Sequence, residues 1–385
     1  MTKTIFALVV LAVVVASLAG GAAYILEQRK LQEVGRTIAL AEDKLNSGSI
    51  DQAIDMLRRA QAERKVDRTT YLLGKALAKQ GKHEEASNYY QTLLRDFPKS
   101  NFTADATLEL ARHELNFKRD KVAATTHLAD ILRYWPKSDA ADFALVMLAE
   151  ISLAENDEKQ ARSNLEIVMR KKDSPARSDA EFLMGDFNMQ RLKSPEAAPG
   201  DELYTIKQGD TLWVMERKLK VPLDLLVGIN GLDNPQALKV GKQIRVPNID
   251  ISIVVNKVDR TLTLRNGGEF LKKYRVGIHQ DPTMVPTGNF TIRKKHAKGL
   301  DYVNTEARET IKAGQPDNPY GKRFLEIRER VGIHGTDDEE RVGKPVSKGF
   351  VVMTNEDIDE VYALVDVKTP VTIIGNANQE KTTGK

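Results

Sequence analysis

Along the chain, hydrophobic positions follow three different rhythms. Ile5 to Leu26 is one uncharged apolar run, interrupted only by Ser17, Gly20, Gly21 and Tyr24. At about 1.5 Å per residue such a run spans roughly 30 Å of hydrocarbon, so residues 4–26 read as a transmembrane helix. The competing reading is a cleaved signal peptide, with Ser17, Ala19, Gly21 and Ala23 as small residues for cleavage. The run continues past each of those residues and the basic segment before it is only Lys3 plus the amino terminus, which favours a retained anchor. From 34 to 192 the spacing becomes helical and self-similar, with a small residue recurring at Ala53, Ala86, Ala124 and Ala161 at a period in the solenoid range. Residues 193–201, KSPEAAPGD, break the pattern and read as a hinge-like linker. Residues 202–248 predict a strand at Tyr204 to Lys207, a helix opening at Gly209 to Trp213, a second helix over Pro222 to Gly231 and a closing strand at Gln243 to Pro247. From 249 to 376 short alternating strands take over, as at Ile251 to Val255 and Thr261 to Leu264, the latter followed by an Asn-Gly-Gly turn. Residues 377–385 form a polar tail.

Composition narrows this picture. With 385 residues, 41% of them hydrophobic and 29% charged, the chain is multidomain and globular in texture. The net charge of +4 is spread among alternating acids and bases, so the electrostatic footprint of nucleic-acid binding is missing. Arg29 and Lys30 beyond the apolar run oppose a simple positive-inside assignment, so orientation rests on the later domains. There is no cysteine, which excludes a disulfide framework, a thiolate metal site, a lipidated N-terminal cysteine and a cysteine nucleophile. The histidines and carboxylates show no metal-ligand spacing, and no cofactor is called for. His83, His113 and His127 read as solvated helix surface.

The clearest helical unit has Leu73 and Gly74 in its first helix, Gly81 at the turn, Ala86 and Tyr90 in its second and Pro98 as terminator. It resembles a tetratricopeptide repeat, in which small residues let paired helices approach and proline ends each pair. A last half-unit from Asp179 to Arg191 is expected to cap the array. The resemblance implies an all-α solenoid that binds a protein partner; the same array would also serve as a spacer. The 202–248 segment, with Asn230, Leu232, Leu238, Gly241, Val246 and Pro247 in addition to its helices, resembles a LysM domain, a small βααβ module. The resemblance implies binding of peptidoglycan glycan chains in a groove formed by Gly209, Asp210, Thr211, Leu212, Gly231 and Leu232. Each has a structural explanation too: Asp210 is placed to cap the first helix and Gly209 to ease the turn.

In the last segment, YRVGI from Tyr274, PTGNF from Pro286, NPYGKR from Asn318 and IHGT from Ile333 occur in order, followed by VGKPVSKGF, TNEDIDEVYALV and TPVTI. Together they resemble the L,D-transpeptidase (YkuD-type) catalytic domain, which implies an all-β sandwich. In that family a cysteine thiolate attacks a stem-peptide carbonyl with a histidine as base. The nucleophile segment reads serine, histidine, glycine, cysteine, an apolar residue and usually arginine; here it reads Ser347, Lys348, Gly349, Phe350, Val351 and Val352. Phe350 replaces the nucleophile, Lys348 a histidine and Val352 the arginine, while His334 keeps the place of the base. Phenylalanine has no lone pair to donate, and its ring is expected to fill the space the substrate carbonyl needs. Ser347, three residues away, would miss preformed oxyanion donors. Lys348 is either solvated or a point charge for a stem-peptide carboxylate.

The expected protein is therefore anchored in the cytoplasmic membrane with its bulk extracytoplasmic, in the periplasm or cell wall. It contacts glycan chains, stem peptides and, through the repeats, a protein partner. Its leading function is a non-catalytic cell-wall scaffold. The alternatives are an active transpeptidase or carboxypeptidase with a non-cysteine nucleophile, and a regulator of an active transpeptidase.

Overall fold

Residues 24–25, 27–232, 238–281, 283–304 and 308–375 are described by the structure, a computed structural model. They divide after Arg177 into two units. In the first unit α1 (27–46), α2 (Ile50–Glu63), α3 (Asp67–Lys79), α4 (His83–Asp96), α5 (Thr103–His113), α6 (Lys121–Tyr134), α7 (Asp139–Ala154) and α8 (Glu158–Arg170) follow one another through short turns. Small and large apolar residues alternate in the contacts: Ala53, Leu57, Leu73, Ala76, Ala86 and Leu93 are buried in one cluster, and Ala111, Leu128, Ile131 and Ala144 in the next. The close approach of α3 and α4 is visible at Gly74, where an added Cβ would lie 2.6 Å from the Tyr90 ring. Three helix starts are capped, by Asp120, Ser138 and Asp157, each accepting a bond from an otherwise orphaned backbone N–H. His113, read from sequence as solvated, is instead buried, with Nε2 3.2 Å from Glu84. The turn of π-helix after α5, Glu114–Lys118, carries Phe117 onto the His83 ring at 3.8 Å.

The second unit begins at Ser178, one residue into α9 (Arg177–Lys193). This is the half-unit expected to cap the repeats, and it packs on a strand of the C-terminal domain: Asn188 donates to Leu271 O at 2.9 Å, Glu181 pairs with Lys273 at 2.7 Å, and Gly185 leaves no room for a Cβ beside Lys272. A small module follows, with β1 (Glu202–Thr205) antiparallel to β2 (Gln243–Val246) and α10 (Leu212–Leu219) and α11 (Leu223–Asn230) between them. The linker is not a loose hinge. Arg245 of β2, 3% exposed, donates through Nε to Asp201 at 2.5 Å and through Nη1 to the carbonyls of Leu192, at 2.9 Å, and Ser194. Burial works to raise the Asp201 carboxyl, but bonds from Ala198, Arg245 and Asn248 hold it below the usual range. The module shares a hydrophobic core with α9 and the C-terminal domain.

That domain is built on two sheets. One holds β3 (Ile251–Asn256), β4 (Thr261–Asn266), β5 (Glu269–Arg275), β7 (Gly288–Thr291) and β15 (Pro370–Ile374), in the order β5-β4-β3-β15-β7. The other holds β6 (Gly277–His279), β8 (Lys294–His296), β11 (Phe324–Arg328), β12 (Val331–His334), β13 (Pro345–Val346) and β14 (Val351–Val352), in the order β13-β6-β14-β12-β11-β8. A separate hairpin pairs β9 (Tyr302–Asn304) with β10 (Glu309–Ile311). The domain is not all-β, as the sequence reading held: Asn355–Leu364 is a helix, α12, capped by Thr354 and burying Ile358, Val361 and Leu364. Apolar residues at i, i+3 and i+6 are a helical stripe. Among the described residues no helix is long and apolar enough to cross a membrane. The predicted membrane helix, except for Tyr24 and Ile25, and the polar tail at 377–385 lie outside the described residues.

Candidate functional site

β12 ends at His334, and β14, which follows Phe350, runs parallel beside it with Val352 opposite His334. The short β14 strand, held between β12 and β6, is what brings the two positions together. The Phe350 amide donates to His334 Nε2 at 2.9 Å, and His334 Nδ1 donates to Gly335 O at 2.7 Å. Both ring nitrogens are thus engaged with the backbone, in a single tautomer. His334 is fully buried, and this burial, aided by Arg341 and opposed by the Gly335 bond, pushes its pKa down to about 4. The imidazole is neutral near pH 7.

The Phe350 side chain is 7% exposed. Its ring lies 6.0 Å from Tyr320 in a stacked arrangement, and edge-on to His334 at 6.1 Å and Phe324 at 6.4 Å. Phe324 in turn stacks on His334 at 5.4 Å. The space beside the base position is filled by a packed aromatic cluster. Gly349 closes it from the other side: its φ is +90°, and a Cβ would fall 2.5 Å from His334 Cε1. Val352 is buried, while Ser347 and Lys348 are exposed. Lys348 Nζ lies 5.9 Å over the Tyr302 ring, and Tyr302 meets Tyr320 at 5.4 Å. Lys348 thus meets Tyr302 and Phe350 meets Tyr320, and the two tyrosines touch each other.

Sequence reasoning assigned no role to Asn318, Tyr320 or Asn355. Asn318, fully buried, donates to Leu300 O and Lys312 O and accepts from the Tyr320 amide, so it sets the ring that covers Phe350. Asn355 donates to Thr336 O at 2.6 Å and accepts from Lys322 N at 3.0 Å, joining the 318–323 segment to the end of β12. Gly321 and Gly335 have no space for a Cβ against that Asn355 oxygen. The available signal was the polar-glycine texture of NPYGKR and the asparagine that opens α12.

In the small module the cap of α10 is Thr211, whose hydroxyl accepts from Val214 N at 3.2 Å. Asp210, the expected cap, instead accepts from Lys207 N and Tyr204 Oη, each at 2.7 Å, and closes the preceding turn. Those bonds, the Lys207 one foremost, hold the Asp210 carboxyl below the usual range. Gly209 and Gly231 adopt left-handed backbone, φ +87° and +58°, Gly231 as the C-cap of α11. Leu212 is half-buried, but Leu232 is wholly inside the core, so it offers a ligand only its backbone. Residues 233–237 of the following loop lie outside the described residues.

Three family models match the chain: "L,D-transpeptidase catalytic domain" over residues 250–373, "LysM domain" over 204–247, and "Tetratricopeptide repeat" over 38–101 and 71–139. The chain is 31% identical over 178 residues to "Putative L,D-transpeptidase YkuD" of Bacillus subtilis (strain 168), covering 44% of this chain and 97% of that protein. The chain belongs to the L,D-transpeptidase family. It is also 31% identical over 130 residues to "Putative L,D-transpeptidase YqjB" of Bacillus subtilis (strain 168), covering 32% of this chain and 71% of that one. Among solved structures, "L,D-transpeptidase from Mycobacterium smegmatis" aligns with a TM-score of 0.28 and 18% identity, over 36% of this chain and 65% of that chain. This member of the L,D-transpeptidase family contains no cysteine, and it joins the catalytic-type domain to a LysM domain and tetratricopeptide repeats.

Proposed function

We propose that the protein is a non-catalytic peptidoglycan-binding scaffold of the cell envelope. The LysM groove around Gly209, Asp210, Thr211, Leu212, Gly231 and Leu232 holds glycan, the repeats recruit an envelope protein, and the C-terminal domain contacts stem peptide without acylating it. Residues 4–26 anchor the chain in the cytoplasmic membrane with the rest outside it. One observation carries the reading. The residue at the nucleophile position is Phe350, its ring packed on Tyr320 and its own amide occupying the Nε2 of His334. A base whose nitrogens are both engaged, and whose pKa is near 4, has neither a free lone pair nor a partner thiol to deprotonate. Ser347 is exposed on the loop before β14, while the acceptor nitrogen of His334 faces the Phe350 amide.

The test combines two assays. Purified peptidoglycan sacculi are expected to pull down the full chain, with loss of binding on deletion of residues 202–248. If neither that module nor the C-terminal domain retained sacculi, the scaffold reading would fail. Incubation with a tetrapeptide-bearing muropeptide and mass spectrometry is expected to leave the substrate unchanged. Dimer formation, abolished by Ser347→Ala, would establish an enzyme instead.

A further inference from the structure

On the same face of the six-stranded sheet as His334, but beyond the Phe324 ring, a cavity opens. The strand register sets the row: His334 on β12 lies opposite Phe324 on β11, and Phe324 opposite His296 on β8. Phe324 stacks on His334 and meets His296 edge-on at 6.1 Å, so it stands as a partition between the filled cluster and this cavity. The cavity has a volume of about 510 Å³. The His296–Glu326 pair forms part of its lining, with His296 Nε2 3.1 Å from Glu326 Oε2 and Glu326 only 8% exposed. Lys294, which lies opposite Glu326 in the β8–β11 register, and Arg330 bring two cations to the lining, and Glu329 brings a second carboxylate. Asp301, also at the rim, is neutralised locally by Lys312 at 2.9 Å.

We propose that this cavity binds a zwitterionic amino-acid head group, the ammonium against Glu326 and Glu329 and the carboxylate against Lys294 and Arg330. The charge pattern selects that chemistry. A simple anion would be drawn by Lys294 and Arg330 but repelled by a buried carboxylate, and a simple cation would meet the reverse. A ligand carrying both charges on one carbon satisfies both sets. Leu300 and Ala313 in the lining give its side chain an apolar wall. The His296 bond holds the Glu326 carboxylate in one orientation, which reduces the ordering cost of binding. This site is separate from the nucleophile position and does not require the scaffold reading to hold.

The experiment is calorimetric titration of the full chain with leucine, with 4-methylpentanoate, which keeps the alkyl group and carboxylate, and with 3-methylbutan-1-amine, which keeps the alkyl group and ammonium. Leucine is expected to bind at least tenfold more tightly than either half-ligand. Glu326→Gln, nearly isosteric, and Arg330→Ala, at an exposed position, are each expected to weaken leucine at least tenfold with the circular dichroism spectrum unchanged. Nε-acetyl-lysine separates two sources of the head group: tighter binding than leucine points to the end of a larger acylated molecule, equal binding to a free amino acid. Equal binding of leucine and 4-methylpentanoate, leucine binding unaffected by both variants, or no binding of leucine or Nε-acetyl-lysine would each overturn the proposal. Sacculi pull-down in parallel keeps the two readings apart, since loss of either binding alone condemns only its own reading.

Discussion

Removing the Phe350 ring is the most direct probe of the filled site. The side chain is 7% exposed and its contacts are the rings of Tyr320, Phe324 and His334, which are themselves fixed by Asn318 and by the β11–β12 register. Neighbours tied down in this way cannot collapse into the void, so Phe350→Ala incurs both the lost transfer energy and a cavity term, about 3 kcal/mol together. For a unit of this size that corresponds to a fall of roughly 6–12 °C in its unfolding temperature. A chain of two units has no single unfolding free energy, so the measurement is hydrogen exchange read by mass spectrometry on peptides covering 318–353. Their opening free energy is expected to fall by that amount while the repeats keep their protection. A change below about 0.5 kcal/mol, the range of ordinary surface substitutions, would refute the packing argument and reopen the cleft beside His334.

Other outcomes follow from the same structure. His334 has a pKa of about 4 when folded against 6.5 when unfolded, so the unfolded chain binds the extra proton. Its contribution is complete above pH 6.5 and is lost as pH falls toward 4, by about 3 kcal/mol; urea unfolding of the C-terminal unit should show that slope, and His334→Gln should flatten it. Gly349→Ala puts a Cβ on the imidazole at a φ of +90° and is expected to destabilise by more than about 1 kcal/mol, seen as lost exchange protection in β12 and β14. Arg245→Met leaves the Asp201 carboxylate without its counter-ion, held only by the Ala198 and Asn248 amides, at a cost of about 3 kcal/mol. Limited proteolysis should then cut within 193–201, and adding Asp201→Asn should recover part of the lost stability but not the resistance, because the Leu192 and Ser194 carbonyls still lack the Arg245 donor. Thr211→Ala should cost the LysM module about 1 kcal/mol, measured by thermal unfolding, because it removes the cap of α10.

Much of this molecule was legible along the chain, wherever the determining interactions are local or periodic. Leu73, Gly74, Ala86 and Tyr90 announce a helix pair because side chains one turn apart share a face. The alternation in Ile251 to Val255 announces a strand for the same reason at period two, with Ile253 and Val255 in the core. The identity of Phe350 is likewise a fact of sequence, and with it the absence of a thiol. What the chain alone left undecided depends on residues far apart in number. Asp210 and Thr211 are neighbours with equal claims to cap a helix, and the choice fell to Thr211 because Tyr204 on β1 already holds Asp210. The half-unit at Asp179 to Arg191 has the periodicity of a repeat cap, yet Gly185 and Asn188 fit the edge of β5 more than eighty residues away. The linker at 193–201 has a hinge's composition and is pinned by Arg245. Burial of His334, the partition made by Phe324 and the cavity beyond it come from strand register, which is set by pairing across the sheet. Local periodicity decides which elements form; which polar group each one meets is decided only when distant strands and helices bring their unpaired donors and acceptors together.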